Sequence, residues 1–246
     1  MAAESGGRPL RFGVIVYPGS NNDHDTYYVL KSILGQDARL IWHKDTSLQD
    51  ADVVVLPGGF SYGDYLRCGA IARFSPVTRE IVSFARDGGV VLGICNGFQI
   101  LCEAGLLPGV LLRNASLNFV CRTVNVRVDN ASTVFTADCR EGQILRMPVA
   151  HGEGNYFADE ATLTALESNG RILFRYCEDD GSLSGRANPN GSVRNIAGIM
   201  NEAGNVMGLM PHPERVSDPV LGNTDGQWIF RSVIKQVQDH VVAERS

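Results

Sequence analysis

Short apolar runs recur along the first half of the chain, with amphipathic segments between them. They occupy Arg11–Tyr17, Ala38–His43, Asp52–Leu56 and Val90–Ile94, and the last two are nearly unbroken. Uninterrupted apolar runs of this length, rich in β-branched residues, are typical of strands buried on both faces of a sheet. These four segments therefore predict strands of a parallel sheet.

Helices are predicted between these strands. The first covers Asp23–Leu34 and stops at Gly35, and the second begins at Ser75-Pro76 and ends at Gly88-Gly89. A third begins at Asn96. Because strands and helices alternate, the sequence predicts an α/β fold. We expect a doubly wound, mostly parallel sheet with flanking helices and right-handed crossovers.

The second half of the chain follows a different pattern. Within Leu117–Val128, valines alternate with polar residues, which indicates a half-buried strand of antiparallel type. The turn sequence at 201–205 indicates a β-hairpin, and a helix over Asp225–Val242 closes the chain. The remaining strands are predicted at Gln143–Val149, Ile172–Cys177, Ile196–Met200 and Val206–Leu209. Together these elements predict a smaller antiparallel section.

Length and composition narrow the class of protein. The 246 residues carry a formal net charge of −5, with 44% hydrophobic and 20% charged residues, as in ordinary globular proteins. No linker or repeat divides the chain, so we expect a single domain over residues 11–246 after a disordered lead-in over residues 1–10. The acidic balance and the lack of a Lys/Arg cluster argue against nucleic-acid binding.

Targeting and cysteine patterns indicate a cytoplasmic protein. No apolar run is long enough to span a membrane, and the first residues lack the apolar core of a secretory signal. The six cysteines form no C-x-x-C pair, so the sequence predicts neither a zinc site nor a disulfide framework. Free thiols are typical of a reducing compartment.

The first candidate for chemistry is Cys95. It lies between an apolar strand and a predicted helix, with Gly93 and Gly97 two residues away on either side, as in a nucleophile elbow. We expect a strained backbone that exposes the sulfur, and a helix start whose free N–H groups favour the thiolate. The alternative is a buried structural thiol in a tight turn.

A glycine turn, Pro57-Gly58-Gly59-Phe60, follows the strand before the elbow. In open α/β sheets the ligand crevice lies beyond the carboxyl ends of the strands, so this turn and Cys95 are expected at one edge. One amide of the turn and that of Asn96 would then form an oxyanion hole, worth about 2.7–4 kcal/mol per donor. The alternative is an ordinary strand-to-helix turn.

A cysteine nucleophile needs a base, and the chain holds five histidines. His24, His43 and His240 are interpreted as structural, and helix capping explains the acids beside His24 better than metal binding does. The two remaining histidines each follow a predicted strand, in His151-Gly152-Glu153 and His212-Pro213-Glu214. The second unit is better placed, because prolines flank it and its glutamate can orient the ring. Spacing alone does not decide between them.

With these residues in hand, the chain resembles the class I (triad) glutamine amidotransferases. Within that class it is most similar to the glutaminase subunits of phosphoribosylformylglycinamidine synthases, from purine biosynthesis. The resemblance extends from about Phe12 to the final helix and rests on five segments: Pro18–Asn21, Pro57–Arg67, Gly93–Gln99, Ala150–Gly154 and Met210–Arg215. The second and fourth segments are specific to these subunits.

The resemblance implies a flavodoxin-like fold and a set of site residues. Cys95 would attack the side-chain amide of glutamine, with His212 as base and then acid, and Glu214 orienting it. The substrate-binding residues that it implies are Gly58, Gly59, Asn96, Gln99, Asn118 and Phe119, with Gly59 (or Gly58) and Asn96 at the oxyanion.

Three further residues are placed by the same resemblance. His151 and Glu153 would line the wall near the site or its partner surface. Asn22 occupies a position where members often carry cysteine, and we expect it to lie outside the triad.

The resemblance also implies partners. The chain has no P-loop or other ATP-binding element, so it would hold no cofactor or metal of its own. It would pass ammonia to a separate synthetase subunit that uses ATP and Mg to amidate formylglycinamide ribonucleotide, with a small third subunit in some systems. A lone glutaminase would waste glutamine, so low activity is expected until the partner docks.

Other classes of function stay open at this point. A cysteine hydrolase of the intracellular-peptidase or glyoxalase type also uses an elbow cysteine and needs neither glutamine nor an ATP-binding subunit. A non-catalytic regulatory subunit is a second alternative, although intact Cys95, His212 and Glu214 argue against it. A glutaminase for another acceptor, such as a pyridoxal or histidine precursor, is disfavoured by the Pro57–Arg67 segment.

Overall fold

The computed structural model describes residues 8–243. Its strands are β1 (Arg11–Val16), β2 (Asp37–Trp42), β3 (Val53–Leu56), β4 (Val90–Ile94), β5 (Val110–Leu112), β6 (Val120–Val128), β7 (Ile144–His151), β8 (Asn155–Phe157), β9 (Ile172–Cys177), β10 (Ile196–Met200) and β11 (Val206–Leu209). Its α-helices are α1 (Asp23–Tyr28), α2 (Pro76–Arg86), α3 (Asn96–Glu103), α4 (Glu160–Ser168) and α5 (Gln227–Ala243).

Nine strands form one sheet in the order β2-β1-β3-β4-β11-β10-β9-β6-β7. The first five are parallel to one another, and numbered by themselves they have the 2-1-3-4-5 order of flavodoxin-like folds. The predicted mostly parallel α/β sheet with an antiparallel section is confirmed. That section is more extensive than expected, because four antiparallel pairings continue the sheet from β11 to β7.

Burial explains why each half of the sheet has its own sequence pattern. All four residues of β3 are buried, and so are the last four of β4, because α2 and α3 pack against β4 while neighbouring strands cover its edges. In β6, Val124, Val126 and Val128 are buried and the residues between them are partly exposed. Each fully buried valine or leucine contributes about 1.5–3 kcal/mol, so both patterns stabilise the sheet.

Several elements differ from the prediction. The helix at Asp23 is α-helical only to Tyr28 and continues as a π-helical segment over Val29–Ile33. The sequence analysis did not assign β5, β8 or α4. The start of α4 could have been predicted, because aspartate is a favoured N-cap residue, and Asp159 accepts a hydrogen bond from the Thr162 amide at 2.7 Å. β5 and β8 could not, because a strand of three residues is too short to show a hydrophobic period.

The predicted disordered lead-in over residues 1–10 is wrong for residues 8–10, which are ordered. Residues 1–7 lie outside the described part of the chain. Leu10 is 1% exposed and packs in the core, and Arg8 forms an ion pair of 3.0 Å with Asp52. Residues 8–10 therefore belong to the fold, because an apolar side chain and a paired charge hold them against it. Within residues 8–243, no helix is long and apolar enough to cross a membrane.

Asp52 directly precedes β3, and its carboxylate links that strand to the start of β1. Arg11 and Arg8 each donate to its carboxylate, at 2.9 and 3.0 Å. Burial alone would raise the pKa of Asp52, but hydrogen bonds from Arg11 and Arg8 outweigh it, and the pKa lies well below its usual range. Asp52 thus contributes stability above the unfolded-state pKa of about 3.9, and the contribution is lost as the pH falls further.

We expect Asp52→Asn to lower the free energy of unfolding by about 1–3 kcal/mol at neutral pH, since charged hydrogen bonds are lost. Urea denaturation at falling pH should show the difference from the wild type shrinking below about pH 4. Asp50→Asn is the matched control, because Asp50 is 88% exposed and 3.8 Å from Arg11. A difference that persists undiminished at low pH would contradict this assignment.

Candidate active site

Four neighbouring parallel strands, β1, β3, β4 and β11, end at one edge of the sheet. The segments that follow them carry Asn22, the Gly58-Gly59 turn, Cys95 and His212. Because the carboxyl ends of parallel strands meet at one edge, residues far apart in the chain come together there. The glycine turn and the elbow cysteine are thus brought to one place, as expected.

Cys95 occupies the sharp turn between β4 and α3. Its backbone has φ 51° and ψ −103°, a left-handed conformation that is strained for a residue with a Cβ. A Cβ on Gly97 would lie 2.0 Å from the Leu56 carbonyl oxygen, and one on Gly93 would lie 2.5 Å from Leu101 Cδ1. The strain and the flanking glycines match the predicted elbow.

The exposure expected for the sulfur is not found, since Cys95 is only 4% exposed. Two cavities of about 250 and 180 Å³ meet at this residue. They share Gly59, Phe60, Cys95, Phe119 and Ala150 in their walls. The sulfur is therefore reached through a pocket of limited size, which suits a small substrate.

His212 and Glu214 form a buried pair beside Cys95. The ring Nδ1 lies 2.5 Å from Glu214 Oε1, and both side chains are 3% or less exposed. This contact requires a proton on Nδ1, so the neutral ring has Nε2 free to accept one. Nε2 is buried without a hydrogen-bond partner among the described residues, and His212 lines the smaller cavity together with Cys95.

The electrostatic surroundings favour the protonated form of His212. Burial by itself lowers the pKa of the ring, but the Glu214 carboxylate and the negative charge of a Cys95 thiolate outweigh burial, so the pKa is raised. A raised pKa means that the ring readily takes a proton from a nearby thiol. The arrangement therefore suits His212 to accept the proton of a neighbouring nucleophile.

The second His-x-Glu unit has a different geometry. His151 Nδ1 lies 3.1 Å from Asn114 Oδ1, and Nε2 lies 3.4 Å from Asn190 Nδ2. Burial, followed by the nearby His212, lowers the pKa of His151 to about 4. Glu153 does not pair with this ring, and its carboxylate accepts from the Cys68 amide instead. The structure therefore favours His212 as the base and leaves His151 in the wall of the larger cavity.

The glycine turn serves two purposes. A Cβ on Gly58 would lie 2.6 Å from His212 Cε1, so Gly58 makes room for the ring. Gly59 has φ +153° and forms a β-bridge with Ser20. The two hydrogen bonds of this bridge are accepted by the carbonyls of Gly58 and Gly19. Neither bond uses the Gly59 N–H. Gly59 lines both cavities beside Cys95, whereas Gly58 lines neither, so Gly59 is the better candidate for an oxyanion donor.

Asn96 is the first residue of α3, where a main-chain N–H has no helical partner. Gln99 follows one turn later, and its main-chain N–H donates to the Cys95 carbonyl at 3.2 Å. The Asn96 side chain accepts from the Ser61 amide at 3.1 Å and donates to Gln99 Oε1 at 2.8 Å. Gln99 donates to the Glu153 carbonyl at 2.6 Å and lines the larger cavity. These bonds hold the helix start, and with it the Asn96 amide, against the glycine turn.

The segment at Asn118 and Phe119 borders the pocket through only one of the two predicted side chains. Phe119 lines both cavities, and its ring lies 6.3 Å from that of Phe60. Asn118 instead bonds to the Ser116 carbonyl at 3.0 Å, and its own carbonyl accepts from Asn114. Phe119 is thus at the site, while Asn118 shapes the loop behind it.

Two residues at the site were missed by the sequence analysis. Asn22, expected to lie outside the triad, is 2% exposed and donates from Nδ2 to Glu214 Oε1 at 2.8 Å. A second is Asp64, which lines the larger cavity with a buried, unpartnered oxygen. The Asn22 contact has no local signal, because Glu214 lies 192 positions away in the chain. Among the described residues no group of three His, Cys, Asp or Glu side chains is arranged to hold a metal.

Comparison with known proteins shows the family of this chain. Residues 10–237 match the CobB/CobQ-like glutamine amidotransferase domain. The chain belongs to this family. It is 59% identical to the phosphoribosylformylglycinamidine synthase subunit PurQ of Salinibacter ruber, over 92% of this chain and 97% of that protein. The PurQ subunit of Moorella thermoacetica is also 59% identical, over 92% and 95% of the two chains.

Solved structures of similar proteins have the same fold. A chain of the PurLQS structure from Thermotoga maritima aligns with a TM-score of 0.82 and 42% identity, over 94% of this chain and 99% of that one. A putative GMP synthase component from Thermoplasma acidophilum, only 16% identical, aligns with a TM-score of 0.65 over 97% of this chain and 99% of that one. That second likeness shows the fold alone.

The reactivity of Cys95 should depend on His212. In a Cys121→Ser background, which removes an exposed cysteine, we expect His212→Gln to slow alkylation of Cys95 by iodoacetamide at least about tenfold, since the base is lost. Mass spectrometry of the labelled peptides measures the rate. His24→Gln, on an exposed histidine, is the control, and equal rates in both variants would contradict the role of His212.

Proposed function

We propose that this chain is the glutaminase subunit of a phosphoribosylformylglycinamidine synthase. It hydrolyses glutamine to glutamate and ammonia and passes the ammonia to a synthetase subunit. The buried His212–Glu214 pair beside the strained Cys95 carries the proposal. The identity to PurQ subunits over nearly their full length supports this member of the family rather than another.

The positions of the side chains support the following reaction. Cys95 gives its proton to His212 Nε2, and the thiolate attacks the side-chain carbonyl carbon of glutamine. The oxyanion accepts hydrogen bonds from the Gly59 and Asn96 amides, which contribute about 2.7–4 kcal/mol each. His212 then protonates the departing ammonia, and Glu214 stabilises the imidazolium in the meantime.

The second half of the reaction releases glutamate. Water gives a proton to His212 and attacks the thioester carbon, and the Cys95–carbon bond breaks as the thiol is restored. The net change is glutamine plus water to glutamate plus ammonia. The position of Cys95 at the meeting point of two cavities allows glutamine to occupy one while ammonia leaves by the other.

The ammonia is used by a partner subunit. The synthetase subunit binds ATP, Mg and formylglycinamide ribonucleotide, and this chain holds no cofactor of its own. The partners are a PurL-type synthetase and a small third subunit, which the composition of the Thermotoga maritima PurLQS structure suggests by likeness. The complex acts in the cytoplasm, which suits six free cysteines and a biosynthetic reaction.

We expect glutamate release from glutamine to appear when the chain is mixed with the synthetase subunit, acceptor and ATP. Activity of the isolated chain should be low, because the partner completes the site. Cys95→Ala should abolish glutamate release in the mixture but leave synthesis from free ammonia intact.

Two outcomes would count against the proposal. If the mixture releases no glutamate although the synthetase works with ammonia, the partner assignment fails. If Cys95→Ala retains glutamate release, the nucleophile is another residue. A glutamine-analogue electrophile that labels Cys95 separates a glutaminase from a cysteine hydrolase that does not bind glutamine.

A further inference from the structure

Asn22 occupies the capping position before α1, but its side chain does not cap the helix. It is the N-cap of α1, and asparagine is among the best capping residues, but its side chain makes no capping hydrogen bond. The turn is held instead by Thr26, whose amide and hydroxyl both donate to the Asn22 carbonyl, at 3.0 and 2.8 Å. The Asn22 amide group is therefore free for another partner.

That partner is the carboxylate of Glu214. Asn22 Nδ2 lies 2.8 Å from Oε1, the same oxygen that accepts from His212 Nδ1 at 2.5 Å. The reverse orientation of the amide would place its oxygen against Oε1, where two acceptors repel each other. The carboxylate thus selects the orientation in which Asn22 donates.

Both donors converge on one oxygen of Glu214. The other oxygen, Oε2, is buried without a hydrogen-bond partner among residues 8–243. Asn22 Nδ2 also lies 3.2 Å from His212 Nδ1, but both atoms carry hydrogens, so that approach is not a hydrogen bond. With His212 alone as donor, the carboxylate could rotate and offer either oxygen; with two donors it is held in one orientation.

The surrounding chain is shaped for this contact. Gly58 lies under both groups, since a Cβ there would be 2.6 Å from His212 Cε1 and 3.4 Å from Asn22 Cγ. The Gly58 carbonyl also accepts a hydrogen bond from the main-chain N–H of Asn22 at 3.2 Å. Asn22 is thus fixed through its main chain, its carbonyl and its buried position.

We infer that Asn22 is a positioning residue of the glutaminase reaction, which orients the Glu214 carboxylate and through it the imidazole of His212. The inference rests on the proposed function. Asn22 acts through Glu214, so its removal should reduce kcat and leave the KM for glutamine nearly unchanged.

Three substitutions test this role in the complex with the synthetase subunit. Asn22→Ala removes the donor, and we expect kcat for glutamate release to fall about ten- to a hundredfold, the usual effect of a misplaced catalytic group. Asn22→Ser keeps a hydroxyl donor and should retain more activity than Asn22→Ala. Asn22→Asp replaces the donor by a carboxylate against Glu214 and should be the least active at pH 8 or so.

The pH profile gives a readout that a structural role would not change. A carboxylic acid donates a hydrogen bond once it is protonated, so the activity of Asn22→Asp relative to wild type should rise as the pH falls. The same ratio for Asn22→Ala should stay flat. The titratable and charged groups around this position are Glu214 and His212 after β11, Cys95 after β4, Asp23 beside it on α1, and Arg215, which is 3.6 Å from Asp25.

Thr26→Val is the matched structural control. It removes the hydroxyl that holds the same helix turn and leaves the donor to Glu214 in place, so it should lower the melting temperature but keep kcat within about twofold. Asn22→Ser serves as the test variant if Asn22→Asp does not fold.

The experiment distinguishes a failure of this inference from a failure of the proposed function. The inference is overturned if the Asn22 variants keep wild-type kcat, or if they lose activity only in proportion to the melting temperature, as Thr26→Val does. If the wild-type complex itself releases no glutamate from glutamine, the proposed function fails instead.

Discussion

The close contact between the β4–α3 turn and the end of β3 determines the geometry of the site. A Cβ on Gly97 would lie 2.0 Å from the Leu56 carbonyl oxygen, so the helix can begin there only without a side chain at that position. The chain reverses sharply as a result, and Cys95 takes up the strained conformation at the turn. The same contact brings the start of α3, with Asn96, beside the glycine turn after β3, so one packing constraint positions the proposed nucleophile and the proposed oxyanion donors.

His212, the proposed base, follows β11, which lies beside β4 in the sheet although it comes late in the chain. β11 pairs in parallel with β4 and antiparallel with β10, and the chain leaves it directly into His212. The main chain on either side is tied to its neighbours, since Cys95 donates to the Leu209 carbonyl and His212 donates to the Pro148 carbonyl. The antiparallel strands therefore help to position the proposed base, because Pro148 of β7 accepts the main-chain hydrogen bond of His212.

Local patterns predicted the central elements well. The bounds of β4, β9, β10 and β11 agree with the prediction, because each is an apolar run set off by turn residues, and burial on both faces favours that composition. The choice between His151 and His212 was left open for a physical reason. It depends on Asn114 and Asn190, which engage the ring nitrogens of His151 from distant parts of the chain.

The contact of Asn22 with Glu214 joins residues 192 positions apart, and no period or spacing carries information of that kind. The site residues of Cys95, the glycine turn and the His-x-Glu unit could be nominated from the sequence, since each has a local signature. Their hydrogen-bond partners could not, because those partners are selected by the topology of the sheet.

The order of these residues along the chain has a consequence for synthesis on the ribosome. The elbow emerges early, whereas β11 and His212 are among the last parts of the sheet to be made. At translation rates of about 5–20 residues per second, this interval lasts on the order of ten seconds. During that time Cys95 has no His212 beside it, because β11, the final parallel strand, must first pair with β4.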